Sequence, residues 1–309
     1  MDLLSSRLRP EALLMLLLFG AAASAQTFRV ATYNVEGYLL KATENRPAKS
    51  AESRTKVRES ILALKPDVLA LQEMGGTNAL LELRDSLRTD GLDLPFWEDV
   101  AGYDTNIHVA VLSKFPFTAR RPHTNDSFLL SGKRFRVSRG FAEVDIQVTP
   151  TYSFTLLTTH LKSKRPVFSA DEAEMRLEEA KLLREHIDAR LETNADANLV
   201  VLGDFNDTKD AASTKAVLGR YRGKLVDTRP AERNGDGGRS PAPSTEPRNV
   251  TWTHYYGAED TYNRIDFILL SSGMAKEWVT NETYVQTIPN WGIASDHRPI
   301  VATFEAEDR

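Results

Sequence analysis

The stretch VVLGDFND (residues 200–207) joins an apolar run directly to three polar side chains, Asp204, Asn206 and Asp207. A nearly continuous apolar segment is typical of a strand that is covered on both faces. Each polar residue could simply cap the turn or helix that follows. Ligands of open α/β sheets also bind at the carboxyl ends of strands, so the same residues are candidates for a functional site.

The same arrangement recurs at five further points, where polar residues follow or interrupt an apolar run. These residues are Asn34, Glu36, Glu73, His160, Asp266, Asp296 and His297. Asp266 differs from the rest, because an acid between Ile265 and Phe267 is costly to bury unless a histidine or an arginine pairs with it. For each of the others taken singly, a capping or structural role is the simpler interpretation. Taken together, they predict that strand ends converge in one acidic pocket.

The chemistry of these side chains predicts a hard divalent cation. Carboxylate and carboxamide oxygens suit Mg²⁺, Mn²⁺ or Ca²⁺. The sequence has no cysteine and no His-x-x-x-His pair, so its spacing does not predict a structural zinc site. With such a cation beside His297, the expected reaction is attack of water on a phosphorus centre. The sequence contains no G-x-S-x-G elbow, no P-loop and no G-x-G-x-x-G, which argues against acyl transfer and nucleotide cradling.

The first 25 residues have the pattern of a secretory signal peptide. Arg7 and Arg9 precede an apolar run over residues 12–23, and the sequence ASA at residues 23–25 provides a cleavage site. The run is shorter than the ~20 residues of a transmembrane helix, so we expect cleavage rather than a membrane anchor. The mature protein would then begin at Gln26, be secreted or periplasmic, and have no membrane span.

Residues 26–309 are predicted to form one α/β domain with two packed sheets and helices outside them. Strands are predicted at residues 27–34, 67–73, 107–113, 139–148, 152–160, 198–204, 263–270 and 298–304. Apolar spacing predicts helices over about 171–191 and 52–64, the second ending before Pro66. The segment 231–249 is rich in Gly, Pro and Ser and is predicted to be a loop.

Seven motifs in a fixed order carry a resemblance to a known family. They are ATYNVEG, DVLALQEM, VAVLSKFP, TTHLKS, VVLGDFND, NRIDFILLS and ASDHRPI. In this order they resemble the endonuclease/exonuclease/phosphatase superfamily, the deoxyribonuclease I-like fold, over roughly residues 27–305. TTHLKSK is also similar to the corresponding motif of bacterial secreted nucleases. The resemblance implies a four-layered α/β sandwich, with two mixed sheets face to face between helices, and a metal-dependent phosphoesterase site at one edge.

The resemblance also implies a role for each residue of the pocket. Metal ligands would be Glu73 in the principal position, Asn34 and Glu36 beside it, and Asp296. Catalytic residues would be His160, Asp204, Asn206, Asp266 and His297. In these roles Asp266 polarises His297, His160 donates to phosphoryl oxygens, and either Asp204 or His297 is the base. Several family members have Asp at the position of Glu36. The longer glutamate side chain implies that Glu36 contacts the metal through its outer shell of ligands.

Two basic residues bear on the choice of substrate. Lys162 and Arg139 are expected near the phosphate. Arg139 ends the basic run KRFRVSR (133–139), which could otherwise be a solvent-exposed charged face. We expect a secreted, monomeric, Mg²⁺-dependent phosphodiesterase, and among its substrates we favour DNA or RNA. A phosphatase or phosphodiesterase for sugar phosphates, inositol phosphates or phospholipid head groups is the first alternative. A non-catalytic binding domain of the same fold is the second.

Overall fold

The computed structural model describes residues 26–232 and 251–309. The predicted signal peptide, residues 1–25, lies outside the described residues, as does the predicted loop over 231–249 apart from residues 231–232, which form a short strand. None of the helices in the described part of the chain is both long enough and apolar enough to cross a membrane.

The first of the two large sheets has seven strands in the described residues, in the spatial order β12-β16-β17-β1-β2-β4-β3. They are β1 (Thr27–Tyr38), β2 (Val68–Met74), β3 (Phe96–Val100), β4 (His108–Ser113), β12 (Ala231–Glu232), β16 (Trp278–Val285) and β17 (Ile300–Glu305). The sheet is mixed, because β1 runs parallel to β2 and antiparallel to β17.

The second sheet has six described strands in the order β11-β15-β10-β9-β8-β5 and is also mixed. They are β5 (Phe117–His123), β8 (Phe141–Thr149), β9 (Tyr152–His160), β10 (Leu199–Asp204), β11 (Val226–Asp227) and β15 (Asp266–Leu270). Asp204 pairs with Asp266 on one side and with His160 on the other. Three of the polar residues identified in the sequence therefore form one row across the end of this sheet.

Four α-helices lie in the described residues. They are α1 (Ala51–Leu64), α2 (Thr77–Thr89), α3 (Glu172–Thr193) and α4 (Ala212–Leu218). Ser50 caps α1 by accepting a hydrogen bond from the Ser53 amide, and Asp171 caps α3 by accepting one from the Glu174 amide. The two helices predicted from apolar spacing are confirmed to within two residues at each end.

Three apolar layers hold the sheets and helices together. Between the sheets, the Phe28 ring stacks 5.2 Å from Phe154 and lies 5.6 Å from Phe304, measured between centroids. A second layer packs α1 and α2 against the first sheet, and a third packs α3 and α4 against the second. The order helices, sheet, sheet, helices confirms the predicted four-layered sandwich.

Several elements were not predicted from the sequence. These are α2, α4, the strands β3, β5, β11, β12 and β16, the hairpin of β6 (Ser127–Leu130) with β7 (Lys133–Arg136), and the hairpin of β13 (His254–Tyr256) with β14 (Thr261–Asn263). α2 begins after Gly76, which has a φ of 82° and makes no side-chain capping bond, so the usual start signal is missing. Arg139 does not open the strand as predicted, because β8 begins two residues later, after Gly140 with a φ of 68°.

Candidate active site

The site lies where the two sheets end side by side. His160 is the last residue of β9, Asp204 the last of β10, and Asp266 the first of β15. From the facing sheet, β1 contributes Asn34, whose Nδ2 donates a hydrogen bond to Asp204 Oδ2 at 2.9 Å. The Asn34–Asp204 hydrogen bond thus joins polar residues that are 170 positions apart in the sequence.

Left-handed backbone conformations shape the strand ends at the site. Glu36, Glu73 and Asn206 have φ values of 46°, 64° and 53°. Asparagine tolerates this conformation, whereas for a glutamate it costs about 1 kcal/mol. Glu73 lies at a bulge, where the pairing of β2 with β4 shifts register between Gln72 and Met74. Bulges often re-aim a side chain next to an active site, and this one turns Glu73 toward the row of polar residues.

Asp266 and His297 form a buried pair. His297 Nδ1 and Asp266 Oδ2 are 2.9 Å apart, and both side chains are at most 6% exposed. This confirms the expectation that Asp266, which lies between apolar residues, pairs with a histidine. Burial opposes protonation of the imidazole, but the charges of Asp266 and Asp204 outweigh it and raise the pKa of His297 to about 10. The other ring nitrogen, Nε2, lies 3.7 Å from Asp204 Oδ2 and faces the site.

The Asp204 carboxylate is the point where the polar groups converge. Its Oδ1 accepts a hydrogen bond from the Asn206 amide at 2.8 Å, and its Oδ2 accepts from Asn34 Nδ2 at 2.9 Å and Asn206 Nδ2 at 3.3 Å. Nε2 of His160 is 3.4 Å from the same oxygen. Burial raises the pKa of Asp204 to about 7, with a further increase from Asp266. A carboxylate with this pKa can exchange a proton near neutral pH.

His160 is a buried, neutral imidazole. It is 1% exposed, and burial together with the charge of Arg139 holds its pKa well below the usual value. Its Nε2 lies 3.9 Å from Glu73 Oε1 as well as 3.4 Å from Asp204 Oδ2. Among the described residues its Nδ1 has no hydrogen-bond partner. The ring can therefore donate one hydrogen bond into the site without carrying a charge.

Glu73 and Glu36 lie at the mouth of the site, beside two cations. Arg46 Nη1 is 4.0 Å from Glu73 Oε2, and Lys49 Nζ donates to the Glu36 carbonyl at 3.0 Å. The Glu36 amide donates to Asn34 Oδ1 at 3.0 Å. Partial desolvation raises the pKa of Glu36, and the nearby Asp296 and Glu73 carboxylates raise it further. This like-charge repulsion is of the kind that a bound cation relieves.

The oxygen donors of Asn34, Glu36, Glu73 and Asp296 fit a hard divalent cation such as Mg²⁺. Two groups of three ligand-type side chains near the site have their ligand atoms within 4.8 Å of one another. They are Asp204 with Asp266 and His297, and His254 with Asp296 and His297. In the described residues neither Glu73 nor Glu36 belongs to such a group. Mg²⁺ commonly takes one or two carboxylates and completes its shell with water and substrate oxygens, which suits this spread of donors.

Arg139 and Lys162 lie in a cleft of about 370 Å³. Its lining is Tyr103, Asp104, Thr105, Asn106, Ser138, Arg139 and Lys162. Arg139 is 7% exposed, its Nη1 donates to the Leu161 carbonyl at 3.4 Å, and its Nε has no partner among the described residues. Lys162 Nζ already donates to two carbonyl oxygens at 2.9 Å. Arg139 is therefore the better placed of the two to bind an anion.

The structure also brings residues to the site that the sequence did not single out. His254 Nε2 is 3.5 Å from Asp296 Oδ2, and its ring lies 4.5 Å from that of His297. Ser295 Oγ donates to the Asn34 carbonyl at 2.7 Å and accepts from the His297 amide, which ties the last loop to β1. Ser295 could have been found, because it precedes Asp296 in the ASDHRP motif. His254 gives no such signal, because its hairpin was not predicted.

Comparison with known proteins gives the same fold. None of the curated protein sequences matches this chain. Truncated TDP2 of Caenorhabditis elegans is 18% identical, with a TM-score of 0.59 over 91% of this chain and 98% of that one. Sphingomyelinase C of Streptomyces griseocarneus is 20% identical, with a TM-score of 0.58 over 91% and 100%. The human nocturnin catalytic domain, bound to a sulfate anion, is 16% identical, with a TM-score of 0.60 over 91% and 95%.

The family itself is shown by a match over most of the sequence. The model of the endonuclease/exonuclease/phosphatase family matches residues 31–297, which include all the residues of the pocket described above. The chain therefore belongs to the endonuclease/exonuclease/phosphatase family and is a metal-dependent phosphoric ester hydrolase.

Proposed function

We propose that this protein is an exported, monomeric, Mg²⁺-dependent phosphodiesterase that cleaves nucleic acid. The observation that carries the proposal is the convergence of Asn34, Asn206 and His160 on the Asp204 carboxylate, next to the buried pair of Asp266 and His297. Export is supported by the composition of residues 1–25.

Asp204 accepts the proton of the attacking water. The hydrogen bonds from Asn34 Nδ2 and from the Asn206 amide fix both carboxylate oxygens, so the group is oriented before the substrate arrives. As the water oxygen bonds to phosphorus and the bond to the leaving oxygen breaks, the proton moves to the Asp204 carboxylate. Its pKa of about 7 matches this exchange at neutral pH.

His297 donates to the phosphate as the charge on its oxygens grows. Asp266 accepts a hydrogen bond from Nδ1 of the imidazole, which fixes the ring and leaves the Nε2 hydrogen facing the site. A pKa of about 10 keeps the imidazole protonated, so it can supply a proton to the leaving oxygen. His160 adds a neutral donor from the opposite side of Asp204.

The metal would be held by Glu73, with Asn34, Glu36 and Asp296 beside it. We favour Mg²⁺, although Mn²⁺ and Ca²⁺ take the same oxygen ligands. When bound, the ion polarises a phosphoryl oxygen and makes the phosphorus a better electrophile.

The cleft beside the site favours a polynucleotide over a small phosphoester. Arg139 offers a charged donor to a phosphate, and Tyr103, which is 74% exposed, offers a ring on the same cleft. Nucleic-acid-binding grooves combine these two features, because cations follow the phosphates while aromatic rings stack on bases. The sulfate bound by the nocturnin domain is a tetrahedral anion like phosphate, which supports an anion site in this fold.

Plasmid cleavage tests the proposal most directly. The protein beginning at Gln26 is incubated with supercoiled plasmid in Mg²⁺ and in EDTA, and His297→Ala is the control for contaminating nucleases. We expect metal-dependent nicking that the variant does not show. Absence of nicking by folded, metal-binding protein would contradict the choice of nucleic acid and leave the phosphoesterase assignment intact.

A phospholipid head group is a second candidate, for one specific reason. Leu129, at the tip of the β6–β7 hairpin, is 63% exposed, and the exposed cations Lys133 and Arg134 share this hairpin. An apolar tip with basic neighbours can dip into an anionic membrane surface. The test is release of phosphocholine from sphingomyelin vesicles. This candidate would be favoured over the first if the wild type releases phosphocholine but does not cleave plasmid, and if Leu129→Asp loses the release.

A further inference from the structure

A second cluster of ligand-type side chains lies apart from the active site. His123 is the last residue of β5, Asp126 immediately precedes β6, and His186 is on α3. Their ligand atoms lie within 4.8 Å of one another, and each side chain is partly exposed, at 18% to 24%. None of the three has a role in the reaction proposed above.

The cluster and the active site are on opposite faces of the second sheet. His123 pairs with Phe141 in β8, and Phe141 pairs with Thr159 in β9, one residue before His160. Two strand spacings separate β5 from β9, or about 10 Å. The Phe141 side chain belongs to the layer under α3, and its ring contacts that of His186. His160 points the other way, toward Glu73 of the first sheet. An ion in this cluster would therefore not be the catalytic ion.

Among the described residues, the hydrogen bonds of His123 leave its Nδ1 for a ligand. Its Nε2 lies 2.8 Å from Glu143 Oε2, and Arg121 and Arg190 hold the other oxygen of Glu143 at 2.7 and 2.5 Å. Histidines that bind metals usually donate their second N–H to a carboxylate, which fixes the ring and makes the free nitrogen more basic. Glu143 is 1% exposed, so this outer support is built into the fold rather than being a surface contact.

The other two side chains complete a mixed nitrogen and oxygen set. His186 Nε2 is 2.6 Å from Asp126 Oδ2, and the imidazole rings of His123 and His186 are stacked with centroids 3.7 Å apart. Two imidazoles and one carboxylate suit Zn²⁺ and neighbouring transition metals, whereas Mg²⁺ and Ca²⁺ prefer oxygen alone. Four-coordinate zinc with bonds of ~2.1 Å keeps its ligand atoms roughly 3.4 Å apart, so His186 Nε2 and Asp126 Oδ2 would move apart and exchange their direct contact for bonds to the ion.

We propose that His123, Asp126 and His186 bind one Zn²⁺ or similar transition-metal ion, with water in the remaining position. The ion ties the base of the β6–β7 hairpin to α3. Asp126 lies at this base, where its carbonyl accepts a hydrogen bond from the Val137 amide at 2.9 Å. On the returning side, the Ser138 amide donates to Glu179 of α3 at 2.9 Å. With the ion bound, both sides of the hairpin base are fixed to the same helix.

Zinc titration calorimetry tests the proposal. The protein is stripped with EDTA, dialysed, and titrated with Zn²⁺ in excess Mg²⁺, which competes for the oxygen-rich active site. We expect one equivalent of Zn²⁺ to bind, and His186→Gln to weaken that binding at least tenfold. His254→Gln is the matched control, because it makes the same change in the other histidine and aspartate cluster. Binding that survives in His186→Gln but is lost in His254→Gln would overturn the proposal.

Two further measurements keep the test independent of folding and of catalysis. If His186→Gln does not fold, Asp126→Asn replaces it, since it keeps the shape of the side chain but removes the anionic ligand. Co²⁺ substituted at the site gives visible absorption bands that report nitrogen ligands, and we expect these bands in the wild type only. Zn²⁺ should also raise the melting temperature of the wild type and not of Asp126→Asn. No zinc uptake by folded wild-type protein would contradict the proposal, whatever substrate the enzyme cleaves.

Discussion

The Asp266–His297 pair makes a prediction at the scale of single residues. His297→Ala removes the group that donates to the phosphate and is expected to reduce kcat by about 10² to 10⁴. Because it leaves the buried Asp266 without its partner, it should also destabilise the fold by about 1–3 kcal/mol. Asp266→Ala leaves a buried histidine without its partner, so it should reduce kcat and also destabilise the fold by about 1–3 kcal/mol. Steady-state kinetics and urea unfolding measure both effects. A fully active His297→Ala protein would remove the proposed mechanism.

Glu73 supports a second prediction at this scale. Glu73→Gln keeps the size of the side chain but removes its charge, so the Mg²⁺ concentration for half-maximal activity should rise about tenfold or more. Activity measured across a Mg²⁺ series gives this value. Glu59→Gln is the matched control, because Glu59 pairs with Lys56 on the surface of α1 and is remote from the polar row. An unchanged Mg²⁺ requirement in Glu73→Gln would mean that this residue is not a ligand.

Single residues also show what the sequence could predict about the site. Asp204, Asp266 and His160 follow or open apolar strands, and such strands end together at one edge of a sheet. Their placement side by side was therefore predictable from the apolar runs. The 4.0 Å contact between Arg46 and Glu73 was not predictable, because Arg46 lies in a loop with no repeating pattern. The cluster of His123 and His186 was equally hidden, since 63 positions separate its imidazoles in the sequence.

At the scale of elements, Gly203 controls how closely β9 and β10 approach. It has a φ of 133°, and a Cβ added there would lie 2.0 Å from the Thr159 carbonyl oxygen. Gly203→Ala must therefore push apart the two strands that end in His160 and Asp204. We expect a loss of about 2–4 kcal/mol in stability and a drop in kcat, since both side chains move.

Gly132→Ala is the matched control for this change. Gly132 also has a positive φ, 78°, but a Cβ there meets nothing within 4 Å. The control should therefore show only the backbone cost of about 1 kcal/mol and unchanged kcat. Thermal unfolding and kinetics measure both substitutions. Equal effects would show that the close approach of β9 and β10 at Gly203 does not determine stability or kcat.

The elements that were predicted and those that were missed differ in burial. Each of the eight predicted strands corresponds to an observed strand, because burial on both faces leaves a continuous apolar run in the sequence. The β6–β7 hairpin is only four residues long on each side, and its exposed residues, Leu129 in β6 and three cations in β7, interrupt any continuous buried apolar run. α2 has the spacing of a helix, with Leu80, Leu83 and Leu87 buried, but its glycine start hides it.

At the scale of the whole molecule, the chain has no disulfide, so its stability depends on packing and on buried polar groups. Glu277, which lies outside the active site, is one of the buried acids that make this stability depend on pH. It is 2% exposed and accepts a hydrogen bond from the Tyr152 hydroxyl, which joins the start of β9 to the segment before β16. Burial raises the pKa of Glu277 to about 7, and Asp308 adds to the shift.

The raised pKa of Glu277 means that the folded protein binds a proton more tightly than the unfolded chain does. Stability from this group is therefore complete below pH 4.5 and is lost as the pH rises to about 7. Glu277→Gln can still accept from Tyr152 without carrying a charge, so it should stabilise the protein by about 1–3 kcal/mol at pH 8 and have little effect at pH 4. Urea unfolding at the two pH values measures the difference, with Glu307→Gln, at an exposed position near the C-terminus, as the control. A Glu277→Gln protein that is equally stabilised at both pH values would show that packing, and not the buried charge, sets the cost at this position.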